Sequence, residues 1–240
     1  MIRKMVIAAA ALIAVISAQA CAMAADSAPD LKNAREIGEL LAAKFTPQSL
    51  RVTAQGNRAY AVMAGAKLGG IRIEEMRLDA RLRGAPSAPG GDLDRLASLI
   101  EQSRGEITLL ERDVNDYYKS GADTSGFSEL AFDFKPSGFQ AKGIFSAQML
   151  MNLKLNLAAA GNLALRSDGV YIDGVSIFAE GMKQPDMIVN LITDKINPLL
   201  PFKDIPFPVS FTKIQMTDKA VVLTGIDERA PKSGAIWSNK

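Results

Sequence analysis

Between positions 149 and 157 the chain reads MLMNLKLNL. Met149, Met151, Leu153, Leu155 and Leu157 take every second position, and Asn152, Lys154 and Asn156 fill the gaps. A period of two sends alternate side chains to opposite faces, so the stretch is predicted as a strand with one dry face. Such a face needs a cover. A helix of the same chain, a second sheet or an apolar ligand would each supply one.

The same reading extends along the chain. Leu31, Ala34, Ile37, Leu41 and Phe45 recur at helical spacing behind Asp30, which predicts an amphipathic helix over 31–45, N-capped by Asp30 and ended before Pro47. From Ser49 the period changes to two: Leu50, Val52 and Ala54, then Tyr60, Val62, Ala64, Ala66 and Leu68, then Met76, Leu78, Ala80 and Leu82 interleaved with Arg77, Asp79, Arg81 and Arg83. Gly56-Asn57 and Gly69-Gly70 mark turns between them, so an antiparallel meander is expected. Ile71 and Ile73 fall out of phase with Met76 and Leu78, which predicts a bulge or bend at Glu74-Glu75. The stretch from Gly84 to Gly91 reads as a surface loop, and Asp92 as the cap of a short helix through Leu93, Leu96 and Ile100.

Thr108-Leu109-Leu110-Glu111 has capping-box spacing, and Val114, Tyr117 and Tyr118 give the helix it opens an apolar side. A second meander follows: Leu130, Phe132 and Phe134, a turn at 135–138, Phe139 to Ala147, the opening stretch, and Gly161 to Arg166. Asp168-Gly169 and Asp173-Gly174 both read as tight turns. Pro185 suits a first helical turn, and Ile188, Leu191, Ile192 and Ile196 form a stripe up to Asn197-Pro198. Ile205, Phe207, Val209 and Phe211, then Ile214, Met216 and Val221 to Leu223, close the pattern. Beyond Gly225 the chain is expected to fray, despite Ile236 and Trp237. Roughly ten strands in runs, with three or four helices, predict the α+β class with a long, mainly antiparallel sheet.

The first residues are of another kind. Arg3 and Lys4, an apolar run from Met5 to Ile16, and small residues ending in Ala22-Met23-Ala24 have the order of a secretory signal peptide. The run is too short to span a bilayer. Two processing routes fit: cleavage after Ala24, or lipidation at Cys21, the only cysteine. The chain is therefore read as exported, either periplasmic or a membrane-anchored lipoprotein. The expected organisation is a signal peptide over 1–24 (1–20 if Cys21 is acylated), a single domain over 25–227 and a flexible tail over 228–240. Removing Arg3 and Lys4 from 28 basic residues leaves 26 against 26 acidic ones, so the mature domain is neutral. A nucleic-acid partner is not expected, because no basic stripe is there to displace counterions from phosphates.

The chain has no histidine, and Cys21 lies in the leader. The commonest general base, metal ligand and thiol nucleophile are thereby missing, and no catalytic residue, metal or cofactor is assigned. Asp113 and Asp116 share a helix side, a spacing that belongs more often to a solvated face than to an acid pair or a cation site. What stands out is apolar. The dry faces are built with Met63, Met76, Met149, Met151, Met182, Met187 and Met216, and methionine adapts to irregular gaps or to a ligand.

Three stretches, GEITLLERDVNDYYKS (105–120), the meander from FSELAFDFKPSGFQAKGIF to GVYIDGVSIFAEG, and NPLLPFKDIPFPVSFTKIQMTDKAVVLTG (197–225), resemble the LmeA-like phospholipid-binding family. Its most characteristic features here are the spacing from Glu111 to Asn115 and Asn197-Pro198 before a proline-punctuated strand pair. The resemblance covers most of residues 31–225. It implies a TULIP- or SMP-like tubular fold, a strongly curved antiparallel sheet wrapped around amphipathic helices with an apolar channel. It also implies phospholipid, or another acylated envelope lipid, as partner, together with the membrane surface.

From strand and helix phase, the lipid-facing candidates are Met149, Met151, Leu153, Leu155, Leu157, Phe132, Phe134, Ile188, Leu191 and Ile192. Arg77, Arg81 and Lys154 are the headgroup candidates. On this reading the protein is a non-enzymatic lipid binder or carrier, and the helix at 185–197 covers part of the dry face. The alternative is an envelope scaffold or adaptor with a dry core.

Overall fold

The computed structural model describes residues 28–83, 92–120, 126–148, 152–226 and 234–239. The leader with Cys21, the loop 84–91, and Met149 and Met151 lie outside the described residues. Helix α1 (Ala28–Phe45) leads into a hairpin pair, β1 (Ser49–Gln55), β2 (Arg58–Leu68) and β3 (Ile71–Leu82), followed by α2 (Leu93–Leu99), β4 (Ile100–Leu110) and α3 (Glu111–Lys119). The second meander is β5 (Phe127–Lys135), β6 (Gly138–Gln148), β7 (Asn152–Arg166), β8 (Gly169–Ala179) and the short β9 (Met182–Lys183). Then come α4 (Asp186–Thr193), β10 (Leu200–Pro201), a 3-10 turn (Phe202–Asp204), β11 (Lys213–Thr217), β12 (Ala220–Thr224) and β13 (Ala235–Asn239).

The strands divide into two sheets where one long sheet was expected. The first has the order β11-β12-β4-β3-β2-β1-β13, the second β10-β8-β7-β6-β5 with β9 beside β8. Every strand pairing is antiparallel, and neither sheet closes into a barrel among the described residues. Helix α1 lies against β1 and β13, and α4 against β8. One cluster of buried residues joins Ile37 and Leu41 of α1 and Val52, Met76 and Ile107 of the first sheet to Phe132 and Phe139 of the second, so both sheets share one apolar interior.

Helix α3 holds the sheets together. Val114 and Tyr118 are buried under it. On one side Asp113 accepts from the Arg72 guanidinium of β3 at 3.0 Å. On the other, the Asn115 amide meets the open edge of β5 as another strand would: its Nδ2 donates to the Phe132 carbonyl at 2.9 Å and its Oδ1 accepts from the Phe132 N–H at 2.7 Å. One turn earlier Glu111 accepts from the Phe134 N–H at 2.6 Å. Asn197 repeats the device on β8, accepting from the Ile172 N–H at 2.7 Å and donating to its carbonyl at 3.1 Å. Edge N–H and C=O groups that would otherwise go unpaired are satisfied this way.

Several local expectations are corrected. Helix α1 starts at Ala28, and Asp30 sits in its first turn, accepting from the Gly56 N–H of the β1–β2 turn at 3.1 Å instead of capping. Thr108 lies in β4 and does not cap α3; the N-cap is Leu110, with no side-chain bond. Asp173-Gly174 is no turn but a bulge inside β8, with Gly174 at φ +57° and a register shift between Ala160 and Asn162 of β7. The extra residue moves the inward positions from Val170 and Ile172 to Val175, Ile177 and Ala179. Residues 234–239, expected to fray, form β13 against β1, and the Trp237 ring packs so closely on Gly38 of α1 that a Cβ there would overlap it.

The slip predicted at Glu74-Glu75 is real. Inward positions on β3 change from Ile71 and Ile73 to Met76 and Leu78. Gly65 on β2, opposite the slip at φ +65°, lets that strand change face at the same point. The inward set on β2 is accordingly Ala59, Ala61 and Met63 before Gly65, and Ala66 and Leu68 after it. Val62 and Ala64, expected inside, are only partly buried.

Candidate functional site

The apolar side of the second sheet and the helix across it form the candidate site. Leu157 is buried with Phe145, Ile177 and Ala179 beneath Val189 and Ile192 of α4. A cavity of about 30 Å³ remains there, lined by Phe132, Phe139, Ala141, Leu157, Ile177 and Ile192 among others, all but Lys142 and Thr193 nonpolar. That is room for a water molecule or two and far less than an acyl chain needs. With α4 seated, the dry face of β7 is covered by protein.

Of the lipid-facing candidates, Phe132, Leu157 and Ile192 line this cavity. Leu155 and Ile188 are half-buried at its border. Phe134 is fully buried in the shared core and does not line the cavity. Leu191 is 48% exposed, and the covering face of α4 runs instead through Val189 and Ile192. The helix ends at Thr193, so Ile196 reaches the cavity from the turn that follows. Leu153 is described only by its backbone, which pairs with Ala147. Among the methionines, Met63 and Met76 are plain core, whereas Met187 is 76% exposed.

The three headgroup candidates stand elsewhere. Lys154 is exposed in a gap position of β7, and a gap position points away from the face that holds Leu155 and Leu157. The same alternation turns Arg77 and Arg81 away from Met76 and Leu78. Arg77 is also engaged, with Glu75 at 2.7 Å and Glu106 at 3.1 Å. None of the three lines the apolar cavity.

The polar cluster on α3 is a fastening. Asp113 is 6% exposed in its ion pair with Arg72, which corrects its reading as part of a solvated face; Asp116 is exposed. Arg72 also holds Glu74 at 2.7 Å, and that hydrogen bond keeps the Glu74 carboxyl below the usual glutamate range. At the first residue of α3, Lys219 Nζ donates to Glu111 at 3.0 Å, and it also donates to Asp133 at 2.8 Å. The bond from Lys219 lowers the Asp133 pKa first, with one from Lys135 second. Lys219 therefore ties the β11–β12 turn to β5. Among the described residues no group of three or more potential metal ligands converges, and no helix is long and apolar enough to cross a membrane.

Sequence reasoning missed Ala159, Ile172, Val175 and Ile177, which complete the cavity wall. Ala159 continues the alternation of Leu155 and Leu157, and Val175 and Ile177 alternate with each other, but only the pairing of β8 with β7 brings the four to one wall. It also missed two clefts beside the cavity. One, of about 440 Å³, shares Ile196 with it. The other, of about 550 Å³, shares Ile172, Val175 and Thr193. A second apolar void of about 30 Å³ lies between α1, the first sheet and Phe207.

No curated protein and no solved structure matches the chain. A family model described as LmeA-like phospholipid-binding matches residues 48–226. That span runs from the start of β1 to the end of β12 and takes in the second sheet, all of the first but β13, α3 with its Glu111 and Asn115 clamps, and the whole wall of the apolar cavity. The chain belongs to the LmeA-like phospholipid-binding family.

Proposed function

We propose that this protein binds one acyl chain of a phospholipid or related envelope lipid between α4 and the second sheet, and that it works as an exported, non-enzymatic carrier. The observation that carries the reading is the family match over a span containing a nonpolar cavity under a helix of only eight residues. The cavity is too small for an acyl chain in this structure, so binding requires α4 to lift.

Magnitudes favour that step. Uncovering Val189 and Ile192 costs about 3–6 kcal/mol, taking about 1.5–3 for each buried aliphatic side chain. Burying a dozen methylenes contributes on the order of 10 kcal/mol before ordering costs. Lifting α4 would widen the narrow site into a channel of the TULIP or SMP kind. The void under α1 is the weaker candidate, because an 18-residue helix covers it. Export rests on the order of charged, apolar and small residues before Asp26.

The envelope scaffold with a dry core remains the rival reading, and the small volume of the cavity is the observation in its favour. Native mass spectrometry of protein purified from membranes in mild detergent separates the two. The carrier retains a lipid adduct and takes up a fluorescent fatty acyl probe, whereas the scaffold is lipid-free and takes up none.

A further inference from the structure

The cleft beside Ile196 has a composition unlike that of the cavity it adjoins. It measures about 440 Å³ and is lined by Tyr117, Tyr171, Lys195, Pro198 and Lys203 among others. Lys195 comes from the turn after α4 and Lys203 from the 3-10 turn after β10, so two segments separate in sequence bring cations to one hollow. Neither lysine makes an ion pair among the described residues, in contrast to Arg72, Arg77 and Arg112, each held by carboxylates. Among the described residues the one carboxylate lining the cleft, Asp168, already accepts the Tyr171 hydroxyl at 2.7 Å. Asp204 stands outside that lining, beside Gly69 at the rim. Ile196 borders both voids, so a polar group in the cleft and a hydrocarbon chain in the cavity would be one side chain apart.

We propose that this cleft seats the phosphate of a lipid headgroup, with Lys195 and Lys203 as its cationic contacts. The proposal rests on the acyl-chain reading and adds the position and charge of the headgroup. Two ammonium groups without carboxylate partners suit a phosphate carrying one or two negative charges, and charge-assisted bonds are the stronger class. The exposed outer faces that hold Arg77, Arg81 and Lys154 have no such neighbour.

The test compares three probes on the full mature chain by titration calorimetry: 1-oleoyl lysophosphatidate, monoolein and glycerol 3-phosphate. The expected result is a preference of about tenfold or more for lysophosphatidate over monoolein, and glycerol 3-phosphate weaker than either. In K195A/K203A, and in the charge-reversed K195E/K203E, that preference falls to about twofold or less. In the outer-face control Lys154→Ala it is kept. A wild-type protein that does not distinguish the two lipids, or a double variant that still does, overturns the headgroup seat while leaving the acyl site standing. Glycerol 3-phosphate binding as tightly as lysophosphatidate overturns it in favour of a free phosphate ester. Failure of both acyl probes to bind removes the acyl-chain reading and this proposal together.

Discussion

Asn115 is the residue through which α3 fastens the second sheet most directly. Its side chain makes two hydrogen bonds to one residue, at 2.9 and 2.7 Å to the carbonyl and N–H of Phe132, on a strand with no neighbour on that side of its sheet. The Asn115→Ala substitution removes both. Each contributes about 1 kcal/mol net, and leaving the Phe132 N–H and carbonyl only partly hydrated adds up to about 1 more, so a loss of about 2–3 kcal/mol is expected. In a domain of this size that corresponds to a fall in Tm of about 5–10 °C. Asn115→Asp keeps an acceptor for the N–H but turns a carboxylate oxygen on the carbonyl, and should lose at least as much. Urea unfolding read as a change in midpoint at constant slope is the assay, with the exposed neighbour Asp116→Ala as control. If Asn115→Ala stays within about 0.5 kcal/mol of that control, the amide is not clamping β5 and the account of α3 is wrong.

The remaining predictions concern other joints. Trp237 is the only tryptophan and packs on Gly38, so Gly38→Ala should shift its emission to the red and cost about 1–3 kcal/mol by overpacking; unchanged emission would mean β13 does not seat on α1. The Glu74 and Asp133 carboxyls are held below their ordinary values of 4.5 and 3.8 by Arg72 and Lys219. A depressed acid stabilises the fold above its unfolded pKa and loses that contribution as pH falls through the folded one. Stability should therefore be level from pH 7 to 5 and decline below about 4.5, less steeply in Lys219→Ala, and a stability that rises on acidification would contradict the ion pairs. Ile192 is 3% exposed under α4, so Ile192→Ala should lose about 2–3 kcal/mol, the lower part of the usual range because a short helix can settle. It should also speed uptake of an acyl probe in stopped-flow fluorescence, and slower uptake would argue against α4 as the moving cover.

Features carried by local pattern were legible in the sequence. Phe132, Phe134 and Phe139 alternate around a turn and lie where alternation puts them, and Asp92 caps α2 through the Asp94 N–H at 2.8 Å. The family resemblance came from Glu111, Asn115 and Asn197-Pro198, and the structure gives those residues a physical task, pairing with strand edges. Strand β4 was hidden because Ser103 and Gly105 occupy two of its inward positions, and a Ser or Gly adds nothing to an apolar pattern. Gly105 is needed because Phe211 and Val209 cross it with no space for a Cβ. Asp173-Gly174 suits a hairpin and a bulge equally well, and only the pairing with β7 decides. Strand β13 and the division into two sheets depend on partners far away in sequence, β1 for β13 and β4 for β12, which no local period records. The outward direction of Lys154, Arg77 and Arg81, by contrast, was already implied by the alternation that marked their neighbours as buried.

The proposed acyl chain lies under α4. A diazirine-bearing fatty acid, loaded into the protein, photolysed and mapped by peptide mass spectrometry, tests that placement at the level of residues. The account predicts adducts on the wall formed by Phe139, Leu157, Ile177 and Ile192. Adducts confined to the void near Ile37, Leu96 and Phe207, or none above an unloaded control, would contradict it.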